Sequence, residues 1–107
     1  TGANNAASAR TNLGIAATSL YNGTLTSGSI TFNYGNYNFY VIIGRPSSSA
    51  SRTSLVVPRI MLTTSAVSFQ IADESNYKSF NLSYSGSLVT LAMGNGAGQI
   101  NRVFGVN

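Results

Sequence analysis

Val67-Ser68-Phe69-Gln70-Ile71, followed after a polar interval by Phe80-Asn81-Leu82-Ser83-Tyr84, decides the fold. In both stretches apolar and polar residues alternate, so one side of an extended chain is apolar and the other wet. Ser29-Ile30-Thr31-Phe32 repeats the pattern. Phe39-Tyr40-Val41-Ile42-Ile43 does not alternate, and it predicts a strand covered on both faces. Between these runs lie Gly23, Ser27-Gly28, Asn33 to Asn36, Gly44 to Ser51, Asp73 to Asn76, Ser85-Gly86 and Gly94 to Gly98, all turn formers. Strands punctuated this way predict an all-β, antiparallel β-sandwich of about eight or nine strands over residues 17–107.

Leu55-Val56-Val57-Pro58-Arg59-Ile60-Met61-Leu62 sets which loops share an end. Proline offers no ladder donor, so it belongs at a sheet edge or a bulge. No Gly, Asn or Asp accompanies Pro58 to make a tight turn, so the stretch is read as one edge strand bent at Pro58. Two strands turning there would divide the loops differently. With one strand, alternating directions bring Gly44–Ser51, Asp73–Tyr77 and Gly94–Gly98 to one end, away from residue 1.

The composition narrows the chemistry. Ser, Thr, Asn and Gly fill nearly half of the 107 residues, and only 7% are charged. An ordinary domain carries about 25% charged residues. With 43% hydrophobic residues the chain can bury a core and is not disordered. Neither Cys nor His occurs, which removes Cys/His metal sites and the usual Ser-His-Asp and Cys-His catalysis. Asp73 and Glu74 are the two acids and adjoin in one loop, so they are poorly placed to flank a scissile glycosidic bond. Asp73 reads as a turn starter, with Lys78 near enough to balance the pair. No enzymatic role and no cofactor are expected.

The net charge of +4 is dispersed over Arg10, Arg45, Arg52, Arg59, Lys78 and Arg102. Without a clustered basic face, nucleic acid is not an expected partner. The longest apolar run is far shorter than the roughly 20 residues that span a bilayer, so membrane insertion is not expected either.

Residues 1–16 differ from the rest. Ala6, Ala9 or Arg10, and Leu13 recur at helical spacing, Thr1 or Asn4 could cap the start, and Gly14 stands where helices end. A helix so short is unstable alone in water. The segment is either a frayed leader or a neck packed against copies of itself. The opening Thr1-Gly2-Ala3 reads as the continuation of a longer protein.

Several loops offer binding chemistry beside a plainer structural reading. Arg45 and Arg52 frame the polar Pro46–Ser51 segment, where guanidinium forks could take phosphate or carboxylate, or simply be solvated. Asn76-Tyr77-Lys78 sets an aromatic ring beside an amide and an ammonium, or ends a hairpin. Asn95 stands in the Gly94–Gly98 loop, read as a flexible hairpin because Gln99–Phe104 is a strand rather than a phosphate-binding helix. Tyr34 and Tyr37, interleaved with Asn33, Asn36 and Asn38, could stack on sugar rings. In the plainer reading Tyr34-Gly35-Asn36 turns the chain, while Phe39 and Tyr40 enter the core.

Thr1-Gly2-Ala3-Asn4-Asn5-Ala6-Ala7-Ser8-Ala9-Arg10-Thr11-Asn12-Leu13-Gly14 resembles the segment that precedes the last domain of tailed-bacteriophage and prophage tail fibres. Leu20 to Gly28, Phe39 to Gly44 and Ile100-Asn101-Arg102-Val103-Phe104-Gly105-Val106 are similar to stretches of their C-terminal receptor-binding tip domain. The resemblance runs over essentially the whole chain. It implies a homotrimer of β-sandwiches with a trimeric neck at residues 1–16, its seam formed by Ala6, Ala9 and Leu13. It further implies an upstream fibre shaft, and a receptor on the bacterial outer surface, either a lipopolysaccharide sugar or an outer-membrane protein. The location would be the distal end of the fibre on the virion, extracellular when acting, after synthesis in the host cytoplasm. Some fibre tips bind metal through histidines; this chain has none, and the resemblance implies no metal or cofactor.

No receptor residue transfers by motif, so candidates come from the loops. Arg45, Arg52, Asn76, Tyr77, Lys78 and Asn95 are the expected contacts, with Tyr34 and Tyr37 second because their loop falls at the other end. Two rival readings remain at this stage. One is a trimerisation and capping module without receptor contact; the other is a carbohydrate-binding module of a secreted protein.

Overall fold

Eight strands form among the described residues, 17–107 of the computed structural model. They are β1 (Ala17–Leu25), β2 (Ser29–Asn33), β3 (Phe39–Arg45), β4 (Thr53–Pro58), β5 (Val67–Ala72), β6 (Tyr77–Ser85), β7 (Leu88–Gly96) and β8 (Gln99–Val106). The neck expected at residues 1–16, with Ala6, Ala9 and Leu13, lies outside the described residues. The strands pair antiparallel throughout, in two four-stranded sheets ordered β1-β8-β3-β4 and β2-β7-β6-β5. The all-β sandwich expected from the alternation is the observed architecture.

The alternation does its work where the sheets face each other. Phe32 from β2, Ile71 from β5, Phe80 and Leu82 from β6, and Val89 and Leu91 from β7 are buried. They meet Tyr40, Ile42, Val57, Ile100 and Val103 from the first sheet in one cluster. The outer face of the second sheet carries Ser29, Thr31, Thr90, Ser83, Asn81, Ser68 and Gln70, which the register places opposite or beside one another. The first sheet differs. Its outer positions include Phe39, Val41 and Ile43 on β3, Val56 on β4, and Phe104 and Val106 on β8, with Ser54 and Arg102 in register with Ile43 and the Arg102 guanidinium over the Phe104 ring. Within a single chain β3 is therefore buried on one face and half-buried on the other, not covered on both. Phe39 faces outward there, and only Tyr40 of that pair enters the core.

Pro58 does not bend a continuing strand. β4 is an edge strand and ends at Pro58; Arg59–Met61 then forms a 3-10 turn, and Leu62 drops into the core. The physical reason is the missing proline N–H together with a competing acceptor. The Arg59 N–H donates to the Asn38 carbonyl (3.0 Å), and the Leu62 N–H closes back on the Arg59 carbonyl (3.0 Å).

Because residues 55–62 contribute one strand and not two, the antiparallel order brings residues 46–52, 73–76 and 97–98 to one end of the sandwich, here called distal. Ala17, residues 34–38 and residues 59–66 lie at the other, proximal end. The distal connection between β7 and β8 is shorter than the flexible hairpin expected over Gly94–Gly98. β7 runs to Gly96, and only Ala97 and Gly98 remain between strands. Gly96 adopts a φ of 115°, and Gly98 packs so closely on the Arg45 carbonyl and the Lys78 Cβ that a side chain there would collide with both.

At the proximal end Gly105 serves a similar purpose. Its missing side chain leaves room for the Tyr37 ring, which a Cβ would meet at 2.5 Å. We expect Gly105→Ala to cost about 1–3 kcal/mol in urea unfolding through overpacking. Combined with Tyr37→Ala it should lose less than the sum of the single changes, because the colliding ring is gone.

Candidate functional site

At the distal end Arg45 closes β3. Its Nη1 donates to the Ser48 carbonyl (3.1 Å), so the guanidinium braces its own loop, and its Nε is buried without a partner. Arg52 is exposed immediately before β4. Asp73 starts the next loop as its residue type suggests. Its Oδ1 accepts the Ser75 (2.8 Å) and Asn76 (2.7 Å) N–H groups, and those bonds hold its carboxyl below the usual carboxylate range. Tyr77, 42% exposed, opens β6, while Asn95 is exposed near the end of β7.

Lys78 does not join them at the surface. It lies opposite Ile71 on the inward side of β6, is 5% exposed, and donates from Nζ to the Gly96 carbonyl (3.2 Å). The period of two that buries Phe80 and Leu82 also buries position 78, so its ammonium is held by a carbonyl and not by the carboxylates of the 73–76 loop. The structure thus brings Arg52, Asn76, Tyr77 and Asn95 to one end, uses Arg45 largely for loop closure, and turns Lys78 inward.

The proximal end holds an open cleft of about 410 Å³, lined by Tyr34, Asn38, Pro58, Arg59, Ile60 and Leu62. Arg59 organises it. Its Nη1 donates to the carbonyls of Tyr34 (3.3 Å), Gly35 and Tyr37 (3.4 Å), and its Cζ sits 3.8 Å above the Tyr34 ring centre. The other face of Tyr34 stacks on Tyr84, with centroids 4.5 Å apart and planes 12° from parallel. Both faces of the ring are therefore taken, and Tyr34 cannot stack on a sugar as its sequence context suggests. Tyr37 is drawn into packing too, lying over Gly105 and at a steep angle to Tyr40, 5.9 Å between ring centres. Beneath them the fully buried Tyr40 hydroxyl donates to the Tyr34 carbonyl (2.5 Å).

Asn38, Arg59 and Ile60 were not singled out as site residues by sequence. The one visible signal was an aliphatic residue following Pro58-Arg59 in a polar chain. The 25-residue gap between Tyr34 and Arg59 hides their contact. Among the described residues no group of three or more His, Cys, Asp or Glu could hold a metal, and no helix is long and apolar enough to cross a membrane. The chain matches no protein-family model, no curated protein and no solved structure.

Burial pushes the Tyr40 hydroxyl up to about 12, with the Arg59 charge opposing. A raised value means the folded state keeps its proton longer than the unfolded chain, so this stabilisation is complete below pH ~10 and drains away as pH climbs towards 12. Tyr40→Phe should cost about 1 kcal/mol at neutral pH for the lost hydrogen bond. It should also flatten the alkaline decline of stability between pH 10 and 12, read by urea unfolding at successive pH values.

Proposed function

We propose that this chain is the receptor-binding tip of a bacteriophage tail fibre, attaching through its distal loops to a glycan or protein on the bacterial outer surface. The observation that carries the reading is the convergence of residues 46–52, 73–76 and 97–98 at the end opposite Ala17. A chain entering at Ala17 from a fibre shaft would leave those loops foremost. They present Arg52, Asn76, Tyr77 and Asn95, a cation, two amides and a phenol. That mixture suits anionic groups, hydroxyls and ring faces of a sugar, or the polar loops of a membrane protein.

Assembly as a homotrimer is part of the same proposal, and the apolar outer face of the first sheet supports it. Phe39, Val41, Ile43, Val56, Phe104 and Val106 form a patch unlike the hydroxyl-rich face opposite, and Val56 is 56% exposed. Three copies packed on this face would point three sets of distal loops the same way, and avidity would turn modest single-site affinity into firm attachment. The same patch also favours the second reading, a trimerisation and capping module that holds copies together without touching the receptor.

Labelling of intact Gram-negative cells by the fluorescent chain separates the two readings. Under receptor binding, Arg52→Ala/Tyr77→Ala/Asn95→Ala should reduce labelling of susceptible cells by on the order of tenfold. A Thr31→Ala control on the outer face of the second sheet should not. Labelling that survives the triple change unaltered would refute attachment through these loops. Comparison with cells carrying truncated lipopolysaccharide tells sugar from protein.

The interface is tested separately. Val56→Glu places a charge in the apolar patch, and light scattering should then report a monomer where the unaltered chain is a trimer. A trimer that persists would move the interface elsewhere.

A further inference from the structure

We infer that the proximal cleft between the 34–38 loop and the 59–61 turn is a binding site for a carboxylate-bearing sugar, with Arg59 as its anion hook. The inference concerns the end opposite the distal loops and does not depend on receptor binding there.

Three observations carry it. Among the described residues, the side-chain hydrogen bonds of Arg59 all leave from Nη1, towards the Tyr34, Gly35 and Tyr37 carbonyls. That leaves the Nε–Nη2 edge, a pair of parallel N–H donors matched to the two oxygens of a carboxylate. The Tyr34 ring beneath the guanidinium fixes its plane, so little freedom is lost when an anion docks.

Second, among the described residues no carboxylate side chain approaches the Arg59 charge. Asp73 and Glu74, the two acids of the chain, both belong to the distal loop at the far end of the sandwich. One guanidinium with one open edge matches a single negative charge. A phosphate, carrying about −1.5 to −2, would remain undercompensated.

Third, the cleft supplies what the rest of a sugar needs. Ile60 is 91% exposed at its rim, an aliphatic side chain standing almost wholly in water, and Leu62, 5% exposed, is buried beside it. Ile60 with Pro58 offers an apolar surface to the C–H face of a pyranose. The exposed Asn38 side chain brings an acceptor and donors for hydroxyls. A volume of about 410 Å³ falls within the range of small-ligand sites.

The test is titration of the full 107-residue chain with sodium galacturonate, galactose and inorganic phosphate, followed by amide shifts in nitrogen-15 NMR. Galacturonate should move the amide signals of Asn38, Arg59, Ile60 and Leu62. Galactose, lacking the carboxylate, should bind on the order of tenfold more weakly or worse. Arg59→Lys keeps the charge but loses the fork and should weaken galacturonate in the same way. Because Arg59 also braces the 34–38 loop, Ile60→Ser is the companion variant. It should weaken binding several-fold with an unchanged melting temperature, since so exposed a side chain carries little of the fold. Equal binding of galactose, equal or tighter binding of phosphate, or shifts confined to residues 46–52 and 73–76 would each overturn the assignment. A chain that fails to label bacteria yet passes this titration would sink the distal reading and leave this one standing.

Discussion

The architecture turns on a proline that cannot donate. Pro58 ends the ladder of β4 at a sheet edge, and the next residue, freed from the strand, gives its N–H to the Asn38 carbonyl and its guanidinium to the carbonyls of Tyr34, Gly35 and Tyr37. One residue thereby fastens the β2–β3 connection to the passage from β4 to β5, where the chain leaves one sheet for the other. Had the chain turned back at Pro58 into another strand of the same sheet, every later strand would run the other way. The 73–76 loop would then have joined Tyr34 at the proximal end. The missing donor decides the polarity of half the molecule.

That dependence explains what could be read from the sequence. Alternation at Val67–Ile71 and Phe80–Tyr84 gives strands, faces and sheet class, because burial on one side is a local pattern with a period of two. Pro58 marks an edge for an equally local reason. The direction count that gathered the distal loops therefore held, although the stretch after Pro58 is a 3-10 turn and not a bent strand. At position 78 alternation and residue type point in opposite directions. Lysine suggests a surface contact, yet its parity with Phe80 and Leu82 puts it inside. Tyr34 fails for another reason: a ring's availability depends on what lies over its two faces, and here Arg59 and Tyr84 come from remote parts of the chain. Contacts that span tens of residues leave no periodic trace.

Phe39–Ile43 carries a different lesson. A run without alternation reads as a strand covered twice, and the single chain covers it once, leaving Phe39, Val41 and Ile43 half-buried beside Val56, Phe104 and Val106. The second sheet shows what a solvated face looks like in this composition: serines, threonines and amides in register. Two faces of one sandwich with the same hydrogen-bonding pattern and opposite side-chain chemistry are not interchangeable. The apolar one is the face that the assembly proposed above would cover, which links a sequence irregularity to that proposal.

The scarcity of acids has a last consequence for how the cations are used. With Asp73 occupied by its own loop, the described hydrogen bonds of Arg45, Arg59 and Lys78 end on main-chain carbonyls: Ser48, the Tyr34–Tyr37 loop and Gly96. A carbonyl does not titrate, and a guanidinium stays charged at any ordinary pH. Bonds of this kind are lost neither to mild acid nor to the screening that weakens surface ion pairs. The cations brace loops without being neutralised by them, so their positive charge is not cancelled by the groups that hold them. A surface that is mostly hydroxyl and amide, with a few fixed positive points, discriminates by where those points stand. Arg52 marks the distal end and Arg59 the proximal cleft, and an anionic ligand would be drawn to these two places for the same electrostatic reason.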